Sequence, residues 1–176
     1  DLDGLAGKRL ATFWNKKEVC VSTPTNKETS RIAVEFEHST QEEWNVPCPA
    51  CGAFTPLLWA NIVFDRDKLD EIGCTCPACG VVSSETEWKE QYINGKFVAA
   101  HPERKVRGFH LNALASLFVD WREIVEKFLT ANEEKKKGNI ELLKVWTNTE
   151  MGETWEEDGE QIETDDLYKR REKYNC

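Results

Sequence analysis

The sequence lacks any apolar stretch of the roughly 20 residues that a membrane-spanning helix needs. Its first residues, Asp1 to Gly4, include no initiator methionine, no basic segment and no apolar segment, so they are not a signal peptide. They are not a natural beginning either. We therefore expect a fragment of a longer soluble protein that has no membrane partner.

The sequence also lacks an excess of positive charge. It has 23 lysines and arginines against 32 aspartates and glutamates, a net charge of −9. A chain of this charge does not coat DNA by general attraction, so any contact with nucleic acid must be local. The candidate DNA contacts are Arg104, Lys105 and Arg107, for which an ordinary solvated face is the alternative interpretation.

Cysteine, by contrast, is abundant, and four of the seven cysteines lie in two copies of a Cys-Pro-Ala-Cys-Gly block, at 48–52 and 76–80. Two thiolates separated by two residues can turn toward one tetrahedral ion. Proline presets φ for that turn, and glycine permits left-handed backbone after it. Two blocks supply four sulfur ligands and leave no open position. We therefore predict a structural zinc site formed by Cys48, Cys51, Cys76 and Cys79.

Two alternatives concern these cysteines. A redox dithiol or a disulfide is the other chemistry, but a thioredoxin-type motif comes as a single Cys-x-x-Cys at a strand-to-helix turn. Cys74 is the other candidate ligand, because it lies on the same face of a predicted strand as Cys76. We choose Cys76, since it alone occupies the repeated block. Four metal-bound thiols among seven fit a reducing cytoplasm.

The segment before the first block predicts short elements. Leu10, Phe13 and Trp14 follow a helical spacing and predict an amphipathic helix over residues 4–15. Residues 18–22 predict a strand. Residues 30–39 are ambiguous between helix and strand, and their polar residues favour a helix.

The segment after the second block predicts helices. Ser84 and Glu87 form a capping box that starts a helix ending near Tyr92. Asp120 is positioned to cap the clearest helix, whose apolar stripe is Trp121, Ile124, Val125, Phe128 and Leu129. A second helix is predicted to pack beside it through Leu142, Val145, Trp146 and Thr149. From Glu153 on, acidic residues dominate and predict a linker or frayed tail.

The order of these features resembles the large terminase subunit of tailed bacteriophages, in the branch that includes the lambda enzyme. The pair of cysteine blocks is the most specific part of the resemblance. The matching segments, in order, are 9–13, 21–25, 44–52, 76–80, 95–97, 108–114, 121–128 and 148–155.

The resemblance implies a motor that uses ATP and Mg²⁺ to translocate double-stranded viral DNA into a procapsid, and an endonuclease that cuts the concatemer. It implies the small terminase subunit and the portal or procapsid as partners, a homo-oligomeric motor, and the host cytoplasm as its location. Ser22 and Thr23 match the ATPase coupling motif, which relays the state of the γ-phosphate to the grip on DNA.

The chain departs from such an enzyme in three respects. It has no G-x-x-x-x-G-K-[ST] motif to hold phosphates and Mg²⁺. It also has no hydrophobic strand that ends in paired acids ahead of the coupling motif, and the family's nuclease carboxylates are expected after residue 176. The parent protein is thus expected to be an enzyme, with no catalytic residue in this chain.

We predict an α+β chain from the middle of such a subunit. Residues 1–42 are predicted to end the ATPase core and carry the coupling motif, and residues 43–83 to form a zinc ribbon. Residues 84–155 are predicted to be an α+β linker region with a helical hairpin, and 156–176 an acidic linker toward a nuclease domain. The alternative is a free-standing zinc-ribbon adaptor that binds nucleic acid or protein, which an intact, methionine-initiated gene of this length would favour.

Overall fold

A computed structural model of the chain describes residues 7–156, so the predicted tail at 156–176 lies outside the described residues apart from its first position. The fold is α+β. In chain order the main elements are α1 (Arg31–Glu37), β1 (Glu42–Pro47), β2 (Phe54–Pro56), β3 (Ile62–Asp65), β4 (Lys68–Thr75), β5 (Val82–Ser84), α2 (Glu85–Glu90), β6 (Lys96–Ala99), β7 (Phe109–His110), α3 (Trp121–Lys136) and α4 (Glu141–Trp146). Short 3-10 turns lie at Trp59–Asn61, Tyr92–Asn94 and Ala113–Ala115, and a π-helical turn at Thr147–Met151 follows α4. Across the described range, no helix has the length and apolar character to cross a membrane.

Strand β1 is the centre of the first sheet. It pairs antiparallel with β2 and β6 and parallel with β7. Val46 lies opposite Thr55 of β2, and Trp44 lies opposite Phe97 of β6. The connection between β1 and β2 is the first cysteine block, which is therefore the turn of a β-hairpin.

The second sheet is antiparallel, with the order β3-β4-β5. Cys74 of β4 lies opposite Ile62 on one side and Ser83 on the other. The second cysteine block connects β4 to β5, so it too is a hairpin turn. Both blocks thus occupy the same topological position in two different sheets.

Helix α3 packs against β4 and against α4. Trp121, Ile124 and Val125 of its predicted apolar stripe are fully buried. The Trp146 indole N–H donates to the Ile124 carbonyl at 3.0 Å, and its ring centroid lies 5.0 Å from that of Phe128. The two helices therefore pack side by side, as the sequence predicts, and the buried core extends from them to both sheets.

Two predictions near the beginning of the chain are wrong. The helix expected over residues 4–15 is helical only at 7–9 among its described residues, and Phe13 and Trp14 are exposed. Residues 18–22 form no strand. A short apolar pattern becomes an element only when it can pack or pair, and no strand among residues 7–156 pairs with 18–22.

Two predictions around the helical pair also need correction. Asp120 precedes α3, but its carboxylate accepts no capping hydrogen bond; the Trp121 N–H donates instead to Glu85 of α2, at 2.9 Å. On α4 the buried residues are Leu143 and Trp146, whereas Leu142 and Val145 are exposed. Residues three apart share a helix face, and this pair is the one that faces the core.

Candidate metal centre

The two cysteine blocks fold into the same turn. The Gly52 N–H donates to the Cys48 carbonyl and the Gly80 N–H to the Cys76 carbonyl, both at 2.8 Å. The glycines have φ values of +72° and +74°, in the left-handed region that glycine favours. A Cβ added at either one would meet no atom within 4 Å, so conformation rather than space requires glycine. The repeated sequence is therefore a repeated backbone geometry.

These turns bring four sulfur atoms together. The Sγ atoms of Cys48, Cys51, Cys76 and Cys79 all lie within 4.8 Å of one another. The Sγ atoms are 3.9 Å apart in the Cys48–Cys79 pair and again in the Cys51–Cys76 pair. Zinc–sulfur bonds of about 2.3 Å in a tetrahedron place sulfurs about 3.8 Å apart. The four thiols therefore fit one tetrahedral ion with no open position.

The surroundings of the four thiols alternate within each block. Cys48 and Cys76, the first of each block, are buried, and Cys51 and Cys79 are exposed. Burial raises the pKa of Cys48. Burial also opposes ionisation of Cys76, but hydrogen bonds from the backbone N–H groups of Cys79 and Ala78 contribute to lowering its pKa to about 7. Turn amides facing sulfur favour the thiolate, which is the form that binds metal. At Cys79 the amide of Val81 acts in the same direction, but burial and the neighbouring thiols outweigh it and raise the pKa of Cys79 to about 12.

Cys74 lies outside this cluster. Its side chain is 1% exposed, and its thiol points to the Thr75 carbonyl, 3.8 Å away. Burial, followed by the charges of Cys76 and Cys48, raises the pKa of Cys74 to about 12. It is a neutral thiol in the core, and the structure brings together the four cysteines that the repeated block predicts.

Trp88 anchors the second hairpin, a role that the sequence patterns described above do not predict. Its indole N–H donates to the Cys74 carbonyl at 3.2 Å, and its side chain is fully buried. Helix α2, which carries Trp88, starts with the predicted capping box between Ser84 and Glu87. The strand that leads into the second block is thereby fixed to the helical part of the molecule. The sequence signal that could have indicated Trp88 is its position as an apolar residue directly after the capping box.

The predicted coupling residues Ser22 and Thr23 lie far from the sulfur cluster in sequence, on an exposed segment without secondary structure. The Ser22 hydroxyl donates to the Thr23 carbonyl at 3.0 Å. The first firmly held residue after them is Thr25, whose N–H donates to the Ser30 hydroxyl at 3.2 Å. The two residues are thus available to a partner surface.

The three predicted basic contacts have different surroundings. Arg107 forms two hydrogen bonds, of 2.8 and 2.7 Å, to the buried carboxylate of Glu42, and these lower the pKa of Glu42. Arg104 donates to the Ser39 carbonyl at 2.8 Å and to the Glu37 carbonyl. Lys105 is exposed. Both arginines therefore hold backbone or side chains of their own chain, at the edge between α1 and β1.

Comparison with known families divides the chain into two matched parts. Residues 1–97 match the family described as phage terminase large subunit gpA, ATPase domain. Residues 106–176 match the family described as terminase large subunit gpA, endonuclease domain. No curated protein matches the chain, and no solved structure does. The first match covers more than half of the chain, and the two follow each other in order, so the chain belongs to the gpA family of phage terminase large subunits.

Proposed function

We propose that the four cysteines bind one structural zinc ion, which holds together two parts of a DNA-packaging terminase. The carrying observation is that two hairpin turns from two different sheets place four thiols within 4.8 Å of one another. When bound, the ion supplies four metal–sulfur bonds in a closed tetrahedral site. Such a site stabilises geometry and has no position for a reacting water.

The two hairpins lead to different surroundings. The first lies in the sheet around β1, where β6 and β7 also pair. The second is fixed through Trp88 to α2, and β4 packs against α3. Both hairpins lie inside the matched ATPase range, and α3 lies inside the matched endonuclease range. The zinc-bound ribbon would therefore set how these two parts are placed.

We assign residues 1–42 to the end of the ATPase core, with Ser22 and Thr23 as its coupling motif, and 43–83 to the zinc ribbon. Residues 84–155 are assigned to a linker region, whose part from residue 106 on already lies in the matched endonuclease range, and 156–176 to an acidic linker toward the rest of the nuclease. The two family matches are separated by residues 98–105, which lie within this linker region.

The parent protein is proposed to translocate double-stranded viral DNA with ATP and Mg²⁺ and to cut the concatemer, in the host cytoplasm. Its partners are the small terminase subunit, the portal or procapsid and further copies of itself. Catalytic residues for either reaction are placed outside this chain. These roles rest on the family and on the resemblance of the motifs.

The zinc scaffold is tested in the complete polypeptide with Cys48 and Cys51 both changed to serine. We expect this variant to bind ATP normally and to lose DNA packaging or subunit assembly. Cys20→Ser is the matched control, because Cys20 is an exposed cysteine outside both blocks. A folded, zinc-free double variant that assembles and packages normally would refute the scaffold.

The proposed DNA contact at Arg104, Lys105 and Arg107 is tested separately by salt dependence. Lys105→Ala is the cleanest change, because Lys105 is exposed while both arginines hold internal contacts. Loss of one phosphate contact weakens binding to all sequences alike and reduces the salt slope by about one unit. An unchanged slope would remove Lys105 from the DNA interface.

The alternative function is a free-standing zinc-ribbon adaptor, which the sulfur cluster alone fits equally well. The two family matches favour the terminase, because they extend beyond the ribbon on both sides. Sequencing the flanking coding region separates the two: continuous reading frames before and after this chain support the terminase, and an intact gene of this length supports the adaptor.

A further inference from the structure

Two segments that are distant in sequence meet in what we call the 25–155 contact, formed by residues 25–27 and 148–156. Asn26 and Trp155 form a parallel bridge, and both cysteine blocks lie between the two segments in the chain. Residues 25–27 come directly after Ser22 and Thr23, inside the matched ATPase range. Residues 148–156 lie inside the matched endonuclease range.

Asn148 is the side chain at the centre of this contact. Its amide nitrogen donates one hydrogen bond to the Thr25 carbonyl, at 3.1 Å, and another to the Glu153 carbonyl, at 2.8 Å. The residue is 9% exposed. Both partners are acceptors, so the site requires an NH₂ group. Aspartate has the same shape but would present an oxygen to the carbonyls.

Backbone hydrogen bonds complete the contact around Trp155. The Trp155 N–H donates to the Thr25 carbonyl at 3.0 Å, and the Lys27 N–H donates to the Trp155 carbonyl at 2.9 Å. Lys27 also forms an ion pair with Glu156. The Thr25 carbonyl thus accepts hydrogen bonds from Asn148 and from Trp155. Thr25, the first anchored residue after the coupling motif, is therefore held to both ends of the 148–155 loop.

The segment that presents Asn148 is itself constrained. Asn148 lies in the π-helical turn Thr147–Met151, a rare geometry that occurs often at functional sites. The turn ends at Gly152, which has a φ of +66° and where an added Cβ would lie 3.0 Å from His110 Nε2. The His110 Nε2 atom is 2.9 Å from the Met151 carbonyl. A displacement of Thr25 would therefore act on a fixed loop rather than on a loose one.

We infer that Asn148 is a positioning residue that joins the coupling segment to residues 148–156, which lie inside the matched endonuclease range. Through it, a shift of Ser22 and Thr23 reaches residues 148–156 directly and without passing through the zinc ribbon. This inference rests on the proposed function, because it takes Ser22 and Thr23 as the coupling motif.

The first measurement is amide hydrogen exchange in the complete polypeptide, comparing wild type with Asn148→Ala, Asn148→Asp and Thr149→Ala. Thr149 is the matched control, since it lies on the same turn, is exposed, and bonds only to the Val145 carbonyl. We expect the Lys27 and Trp155 amides to exchange at least about tenfold faster in both Asn148 variants, with Asn148→Asp the faster. The control should match wild type.

The second measurement is ATP turnover with and without DNA. We expect Asn148→Ala to keep basal turnover and the KM for ATP, and to reduce DNA-stimulated turnover at least about fivefold. If Asn148 had a purely local role, its replacement would raise amide exchange in residues 148–156 alone, and DNA would still stimulate ATP turnover. That result overturns the inference, as does an effect of the same size in Thr149→Ala.

The two measurements also separate this inference from the proposed function. If the wild-type polypeptide shows no DNA-stimulated turnover, the proposed function fails, and the exchange data alone decide whether Asn148 joins the segments. If stimulation is present and survives while the Lys27 and Trp155 amides are loosened, the proposed function stands and the inference fails.

Discussion

Cys74 and Cys76 are separated by one residue, yet their thiols have opposite surroundings. The Cys76 sulfur faces the backbone N–H groups of its own turn, which help to lower its pKa to about 7. The Cys74 sulfur faces the core, where burial raises its pKa to about 12. Only the Cys76 sulfur lies among the four clustered thiols, so Cys76 and not Cys74 is placed to bind a metal ion.

This difference predicts the metal content of two variants. Wild-type protein purified without chelator should contain about one zinc ion per chain, and Cys76→Ser well under half of that. Cys74→Ala should keep the metal and lose only about 1 kcal/mol of stability, because it removes one buried sulfur. Elemental analysis together with chemical denaturation checks both. Metal lost in Cys74→Ala and kept in Cys76→Ser would reverse the ligand assignment.

The Arg107–Glu42 pair gives a second prediction, through pH. The hydrogen bonds from Arg107 lower the pKa of Glu42, so the pair stabilises the fold fully above the unfolded-state value of about 4.3. That contribution is lost as the pH falls through the lower folded-state pKa. Arg107→Ala should therefore lower Tm at pH 7, and the difference from wild type should shrink toward acid pH.

Thermal unfolding of both proteins between pH 7 and pH 3 measures this dependence. Lys105→Ala serves as the control, because Lys105 is an exposed neighbour. A difference in Tm that stays constant over the whole range would mean that Arg107 does not stabilise the fold through Glu42.

The site residues that could be predicted from the sequence are those whose chemistry repeats locally. Each cysteine block carries its own turn signal, so its geometry follows from residues that are adjacent in the chain. The roles of Asn148 and Trp88 could not be predicted, because each side chain donates to a backbone carbonyl that only the fold brings close. These acceptors are the carbonyls of Thr25 and Cys74. No side-chain pattern in a single sequence reports such a partner.

At the level of elements, the first residues of the helices also differ in whether their hydrogen-bond partner is local in the sequence or is brought close by the fold. Ser84 and Glu87 cap α2 with each other, three residues apart, and the capping box is present as predicted. Asp120 occupies an equally typical position before α3, but its role is taken by Glu85 from α2. The hydrogen bond that the fold makes possible between the Trp121 N–H and Glu85 decides this, and local propensity does not.

These two caps predict different costs. Ser84→Ala should reduce the free energy of unfolding by about 1 kcal/mol, because the Glu87 N–H loses its acceptor. Asp120→Ala should cost only a few tenths of a kcal/mol, since no capping bond is lost. The urea midpoint of each variant, with an unchanged slope, measures the difference. Equal losses would contradict the assignment of the caps.

Strands and helices near the beginning of the chain depend on more than their own pattern. Residues 18–22 have strand-forming composition but no paired strand in the described range, and Phe13 and Trp14 have helical spacing but exposed side chains. By contrast, residues 30–39 contain α1, whose end is held to the segment before β7 by Arg104. An ambiguous pattern is thus resolved by tertiary contacts.

For the molecule as a whole, three of the contacts among residues 7–156 join parts that are distant along the chain. The sulfur cluster brings the two hairpin turns together, Trp88 ties β4 to α2, and the 25–155 contact joins residues 25–27 to the π-helical turn and the residues after it. The sequence predicted the first connection only. The tail predicted from Glu153 on is wrong for its first residues, because Trp155 forms an isolated parallel bridge with Asn26.

Removal of the metal should therefore loosen the molecule unevenly. Structural zinc sites contribute about 10–16 kcal/mol of apparent binding free energy in small peptides, which is comparable to the 5–15 kcal/mol that stabilises a whole domain. The turns at 48–52 and 76–80 would depend on the bound ion directly, because they carry the four thiols. Helices α3 and α4 are buried through Trp121, Ile124 and Trp146, none of which contacts the sulfur atoms through a hydrogen bond.

We therefore expect a zinc chelator to raise amide exchange at least about tenfold across residues 42–84 and to leave residues 121–146 much less affected. Zinc ligands must lose their protons, so mild acid should act in the same direction as the chelator. Returning Zn²⁺ should restore protection, and Mg²⁺ should not, because a four-sulfur site suits zinc and not a hard cation. Exchange that rises equally in both regions would show that the helical pair has no stability apart from the ribbon, and unchanged exchange at 42–84 would show that the cysteines hold no structural ion.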